Sequence, residues 1–340
     1  MSEARSRVGC SIDLAKPGKQ LGYLTLAWSD NRLAGGPILV PIACISGGDG
    51  PTALITGGTH GDEYEGQIIA RRLIAELDPR QMAGRLIVLP AFNYLAVLEA
   101  SRVSTVDDVN MNRAFPGNAG GSPAEMLAHW VETAVLPKCQ VALDLHSGGK
   151  TGEYLPVGYF RQAGDRAFME RKVAAFRAFG APMTVVVGPT SDDRSLSAAC
   201  DRHGVPMVSA ELGGLGTISP AAYRIGAAGT RGVLAHMGIV APTPEGVPEP
   251  RTRFMLIPDR TYYAMATAPG LFLPEVKLGD SVTEGQLAGT IYPLDDLTQP
   301  TVEVRFQRNA IVVARRASTL IRRGEYVFNT ATDVAEEKVF

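Results

Sequence analysis

Hydrophobic positions along the chain alternate between short apolar runs and helical stripes. Residues 23–28 and 38–45 read as strands, and Gly47-Gly48-Asp49-Gly50-Pro51 is a turn cluster between the second of these and a third run at 53–56. After two glycines, Ile68, Ile69, Leu73, Ile74 and Leu77 form an apolar stripe with helical spacing, which Asp78-Pro79 ends. Residues 85–90 are an apolar run suited to a buried parallel strand, and 93–100 a short helix. Residues 101–121 show no period, and a loop of that length inside a compact domain is usually functional or disordered. Ser122-Pro123-Ala124-Glu125 is a capping box that opens a helix through Met126, Leu127, Trp130 and Val131. A strand at 141–145 follows, then strand, helix and strand at 153–160, 165–179 and 183–187. A helix near 194–203, a strand at 205–212 and a helix from Ser219-Pro220 to Gly238 complete the series. Such alternation predicts an α/β fold with a mixed, largely parallel sheet flanked by helices. Residues 1–21 show no clear pattern beyond the Pro17-Gly18 turn.

From residue 241 the pattern changes. Residues 241–252 hold four prolines and no apolar period, which describes a stiff linker between a domain at 1–240 and one at 253–340. Beyond it come short strands and turns, a smaller β-rich, barrel-like domain. Residues 269–291 resemble half of a biotinyl/lipoyl-type barrel, whose strands are joined by G-D-x-V-x-x-G-Q turns. The downstream stretch 301–316 contains no lysine to carry a prosthetic group, so this domain is expected to be structural, walling the active site or making an oligomer contact.

Composition narrows the function without choosing it. Hydrophobic content of 45% and charged content of 20% describe an ordinary soluble domain. A formal net charge of −2 with no basic run gives no footprint for nucleic acid. No apolar run is long enough to cross a bilayer, and the first ten residues lack the apolar core of a secretory signal. Cys10, Cys44, Cys139 and Cys200 are widely spaced, as expected of reduced thiols in a cytoplasmic protein. Self-association is left open.

Chemistry concentrates where predicted strands hand over to helices, the usual place for ligands in open α/β sheets. His60 and Glu63 follow Gly57-Gly58, and a His and a Glu offered together suit a metal such as Zn²⁺. His146, at the end of the 141–145 strand, would complete a set of two histidines and one carboxylate with a further position for water. Asp144 lies on the same side of that strand and is placed to fix the tautomer of a liganding imidazole. Glu211, at another strand end, is placed as a general base. Asn110, Asn112 and Arg113, with Arg102 upstream, offer amide and guanidinium donors for a substrate carboxylate. Each residue alone has an ordinary reading, as a half-buried histidine, a paired glutamate or a solvated loop arginine.

Taken together, H-G-D-E at 60–63, N-M-N-R-A-F-P-G at 110–117, D-L-H-S-G-G at 144–149 and E-L-G-G at 211–214 resemble the succinylglutamate desuccinylase/aspartoacylase family, zinc hydrolases related to metallocarboxypeptidases. The resemblance covers roughly 50–238, and the β-rich C-terminal part fits the family's layout. It implies one Zn²⁺ per chain on His60, Glu63 and His146, with Glu211 as base and later acid. It further implies a clamp on the substrate α-carboxylate by Asn112 and Arg113, with Arg102 polarising the scissile carbonyl. The expected substrate is a small N-acyl amino acid, and a carboxypeptidase on the same scaffold is the enzymatic alternative. A metal-binding protein without activity would be expected to lack the base, which Glu211 supplies. For a substrate bearing a side-chain ammonium, Glu153 and the Asp192-Asp193 pair are the acidic candidates.

Overall fold

The computed structural model describes residues 6–29, 35–188, 192–242 and 252–339. The chain forms strands β1 (Val8–Cys10), β2 (Gly18–Leu26), β3 (Ile38–Ser46) and β4 (Thr52–Gly57), then helix α1 (Tyr64–Glu76). Next come β5 (Arg85–Leu89), α2 (Tyr94–Leu98), α3 (Pro123–Trp130), β6 (Val141–His146), β7 (Gly152–Tyr154), β8 (Val157–Arg161) and α4 (Arg166–Phe179). β9 (Met183–Val187), α5 (Leu196–Arg202), β10 (Met207–Glu211) and α6 (Pro220–His236) follow. The α/β fold expected from the alternation is present. In its centre β5, β4, β6 and β10 are neighbours, all paired in parallel. β8 joins β10 in the opposite direction, and β1, β2 and β3 extend the other side with antiparallel pairings.

Two expectations are corrected. The N-terminal stretch is not irregular: residues 8–10 and 18–26 are strands, and β2 pairs with β3 along its whole length from Gly18 to Leu26. The continuous strand expected at 153–160 is two, β7 and β8. Pro156, which has no N–H to give a ladder, lies at the break. After their split, β7 turns away from the main ladder to pair with a strand of the C-terminal part.

Residues 243–251, most of the expected linker, lie outside the described residues. Beyond them come β11 (Arg253–Ile257), β12 (Tyr263–Met265), β13 (Gly270–Pro274), β14 (Ser281–Val282), β15 (Leu287–Tyr292) and β16 (Val302–Arg305). The last strands are β17 (Ala310–Arg316), β18 (Leu320–Ile321) and β19 (Tyr326–Asp333). β11 pairs in parallel with β9, and through it β19, β17 and β14 continue the large sheet. β16, β15, β13 and β18 form a separate antiparallel sheet. All four cysteines are free, three of them buried.

The crest of the parallel strands is held by helix α1. Its buried Ile69, Leu73 and Ile74 face the sheet, each contributing about 1.5–3 kcal/mol by leaving water. The contact between β4 and the first turn of α1 is very close. A Cβ on Gly57 would stand 2.6 Å from both the carbonyl carbon and oxygen of Gly66. Gly57→Ala is therefore expected to destabilise the protein by about 1–3 kcal/mol, because backbone and not a movable side chain would have to shift. Denaturant unfolding checks this; an unchanged midpoint would show that helix and strand are not locked at this point.

Candidate metal centre and active site

His60 and Glu63 sit on the turn between β4 and α1, with Glu63 at the residue before the first helical turn. His146 is the last residue of β6 and Glu211 the last of β10, and the parallel register sets these two side by side. Three adjacent strand ends thus bring together residues far apart in sequence. The liganding atoms of His60, Glu63 and His146 lie within 4.8 Å of one another, and all three residues are buried. The two imidazole centroids are 5.1 Å apart.

Hydrogen bonds fix how the rings face. His60 Nε2 meets Asn110 Oδ1 at 3.1 Å, and that oxygen also accepts from the backbone N–H of Asn112. His146 Nε2 meets Asp144 Oδ2 at 2.8 Å. Asp144 is held in turn by the hydroxyls of Thr56 and Thr59, each donating at 2.7 Å to its other oxygen. With an acceptor against each Nε2, both imidazoles turn Nδ1 inward, where Glu63 meets them at 2.7 and 2.8 Å. The inner edge therefore gathers positive charge. It takes either a proton or a metal ion held by both Nδ1 atoms and a Glu63 oxygen, a donor set that fits a borderline divalent metal. Asp144 and Asn110 are the outer groups that orient such ligands.

The electrostatics agree. Burial disfavours charge on His146, but the carboxylates of Asp144 and Glu63 outweigh it and raise its pKa well above the usual value. Burial likewise opposes ionisation of Glu63, yet the His60 and His146 imidazoles overcome it and hold this carboxyl well below the ordinary range. Glu211 is different. Burial lifts its pKa to about 8, with Glu63 adding to the rise while His146 and Arg102 oppose it. One of its oxygens, Oε2, is buried with no hydrogen-bond partner among the described residues.

These groups open on a cavity of about 560 Å³. His60, Glu63, His146 and Glu211 line it, as do Arg102, Asn112 and Arg113 from the long loop. Arg102 leans over the ligand cluster, its guanidinium 3.4 Å from Glu63 Oε1. Asn112 caps the start of α5 by accepting from Leu196 N at 3.1 Å, which leaves its side-chain amide as a donor. Arg113 is half-exposed and bonded through Nε to Asp192 at 3.1 Å. Asp192 lines the cavity but also binds Arg194, so two guanidinium groups already share its charge. Glu153 does not line the cavity; it is paired with Arg315. Asp193 is exposed and lies off the cavity wall. His129, His203 and His236 also lie away from it.

The pattern of the sequence did not point to the tyrosines. Tyr154, Tyr159 and, from the C-terminal part, Tyr326 line the same cavity. Burial pushes the phenols of Tyr154 and Tyr159 up, with the nearby Glu211 charge adding, so both stay neutral. Isolated tyrosines in short strands carry no motif, and only the meeting of the two parts of the chain makes them a wall.

The catalytic domain of succinylglutamate desuccinylase/aspartoacylase matches residues 49–237, the range that holds His60, Glu63, His146 and Glu211. This chain belongs to the succinylglutamate desuccinylase/aspartoacylase family. Its relatives include the N-alpha-acetyl-L-2,4-diaminobutyric acid deacetylase of Halomonas elongata, 34% identical over 95% of this chain and 94% of that protein. Among solved structures, a succinylglutamate desuccinylase/aspartoacylase from Rhodobacter sphaeroides shares 36% identity, with a TM-score of 0.91 over 97% of this chain and 100% of the other. The product-bound ectoine utilization protein EutE (DoeB) from Ruegeria pomeroyi matches with a TM-score of 0.92 at 35% identity, over 97% of this chain and 100% of that one. Membership makes the chain an amidohydrolase acting on an N-acyl amino acid. Among the described residues no helix is long and apolar enough to cross a membrane.

Removing the group that orients His146 should weaken the metal centre without dismantling it. Asp144→Asn is expected to lower metal affinity about 10–100-fold, measured by competition with a chelator. In the native protein the affinity should rise with pH through the neutral range, because an ion must displace the proton that Asp144 and Glu63 hold on His146. Affinity that ignores both the substitution and pH would place the ion elsewhere.

Proposed function

We propose that the protein deacetylates N-alpha-acetyl-L-2,4-diaminobutyrate, giving L-2,4-diaminobutyrate and acetate, with Zn²⁺ held by His60, Glu63 and His146. The 34% identity to the Halomonas elongata deacetylase over nearly the whole chain supports this substrate, and the likeness to an ectoine utilization protein supports a place in ectoine breakdown. Metabolism of that kind is cytoplasmic, and the substrate is a small molecule. The observation that carries the chemistry is the convergence of three metal-ligating side chains beside a buried carboxyl with an unpartnered oxygen.

A bound Zn²⁺ would supply acidified water and polarise the acyl carbonyl. The chain's own residues do the rest. Glu211 takes the proton of the attacking water and returns it to the departing amine, a shuttle suited to a carboxyl whose pKa is lifted toward neutrality. Arg102, leaning over the ligand cluster, stabilises negative charge on the carbonyl oxygen. Asn112 offers its amide and Arg113 its guanidinium to the α-carboxylate, which fixes the acyl group toward Glu211. Asp192 pre-orients Arg113 before substrate arrives. The wall of Tyr154, Tyr159 and Tyr326 encloses the reacting end of the cavity and keeps bulk water away from it.

Glu211→Gln is expected to keep its metal and to lose about 10²–10⁴-fold in kcat on the acetylated amino acid. Near-native hydrolysis by that variant would remove Glu211 from the mechanism. Arg113→Ala should act mainly on binding and raise KM for substrates that carry an α-carboxylate, with a smaller effect on an amide that lacks one. A KM unchanged for both would dismiss the clamp. Comparing N-acetyl-diaminobutyrate with acetyl-aspartate, succinyl-glutamate and short peptides tests the substrate itself.

A further inference from the structure

A short strand, β7, lies between β17 of the C-terminal part and the turn that follows Glu211, and both of its edges are taken. On one edge β17 pairs antiparallel, with Ala314, Arg315 and Arg316 opposite Tyr154, Glu153 and Gly152. Leu155 N donates to Val313 O and Ala317 N to Thr151 O, each at 3.0 Å, which extends that ladder at both ends. On the other edge lies the turn that follows Glu211. Tyr154 N and Gly148 N both donate to Gly213 O at 3.0 Å, and Leu215 N donates to Gly152 O at the same distance. Backbone contacts therefore run without interruption from the C-terminal sheet, through β7, to Gly213, the second residue after Glu211.

The packing along this path has no slack. A Cβ on Gly214 would stand 2.1 Å from Gly152 O, and one on Gly148 would stand 2.2 Å from the same atom. A shift of β7 must therefore move the Gly213-Gly214 turn with it. The backbone ladder that places β17 is irregular just before it reaches β7. The register between β17 and β19 shifts between Val312 and Ala314, just before the residues that meet β7. Such an irregularity bends the strand and increases its local twist. One side-chain contact joins the two strands beside this irregularity. Arg315 Nε donates to Glu153 Oε2 at 2.6 Å, between residues directly opposite each other. Arg315 also stands opposite Phe328 of β19, two residues from Tyr326. Arg315 is thereby paired with the strand that carries Tyr326 to the cavity.

We propose that Glu153 and Arg315 are positioning residues for the reaction, although neither lines the cavity. The pair sets the register of the C-terminal sheet on β7, and through the glycine-packed turn it sets the place of Glu211 and of Tyr326. This assignment rests on Glu211 as the proton shuttle, and it gives the C-terminal part a role in the chemistry beyond covering the site.

The test uses the metal-loaded full chain and the N-acyl amino acid it hydrolyses fastest. Glu153→Gln and Arg315→Gln should each lower kcat about tenfold, with KM and metal content nearly unchanged. The charge-swapped E153R/R315E protein should regain most of the lost kcat. Amide hydrogen exchange over residues 148–155 should quicken in both single variants and slow again in the swap. Arg315→Lys, which keeps the charge, should stay close to native if either glutamine variant folds poorly. Native kcat in both singles, a swap no better than the two losses combined, or a lysine variant as slow as the glutamine one would overturn the proposal. Should Glu211→Gln prove active, the shuttle fails, while the exchange data still decide whether the pair sets the register.

Discussion

One carboxylate shared by two imidazoles is the interaction on which the site depends. Glu63 has one oxygen on each inward Nδ1, at 2.7 and 2.8 Å, and all three side chains are buried. A charge buried there alone would cost far more than the fold could supply, so every member of the cluster needs a fixed partner. Thr56 and Thr59 hold Asp144, Asp144 holds His146, and Asn110 holds His60. The architecture serves that requirement. Parallel neighbours end at one level, so β6 and β10 deliver their last residues, and β4 the turn that follows it, to one point, and α1 starts beneath them close enough to exclude a side chain at Gly57.

Around this fixed centre the cavity divides into functions by charge. Glu63 is kept ionised and inward, whereas burial holds Glu211 near neutrality with one oxygen unspent. Two carboxyls a strand apart thus take opposite roles because their surroundings differ, one as ligand and one as proton carrier. The arginines lie on the solvent side, on the long loop, where a substrate carboxylate can reach them.

Much of this was legible in the sequence because it is local. Apolar runs closing on glycines marked the strand ends, and H-G-D-E, D-L-H-S-G-G and E-L-G-G placed the ligating and shuttling residues there. The capping box at Ser122 and the proline stop at Asp78-Pro79 set helix ends where the structure has them. Non-local pairings were not legible. β2 alternates weakly and was missed at its start, since its partner β3 supplies the order. Pro156 broke a strand that hydrophobicity alone ran through. Glu153, an acidic candidate for the substrate, is taken by Arg315 from 162 residues away, and Tyr326 reaches the cavity from a part of the chain expected to wall the active site, though no motif marked that residue. Asp192 does line the cavity, but no spacing rule reveals that Arg113 and Arg194 already share it.

The central claim is that residues from two distant strand ends and a helix start surround one ion. Zinc-edge X-ray absorption on protein loaded with one ion per chain tests it most directly. Two imidazole nitrogens and oxygen donors at about 2.0–2.2 Å are expected, with one imidazole lost in His146→Ala. A spectrum with sulfur in the shell, or one indifferent to that substitution, would contradict the account.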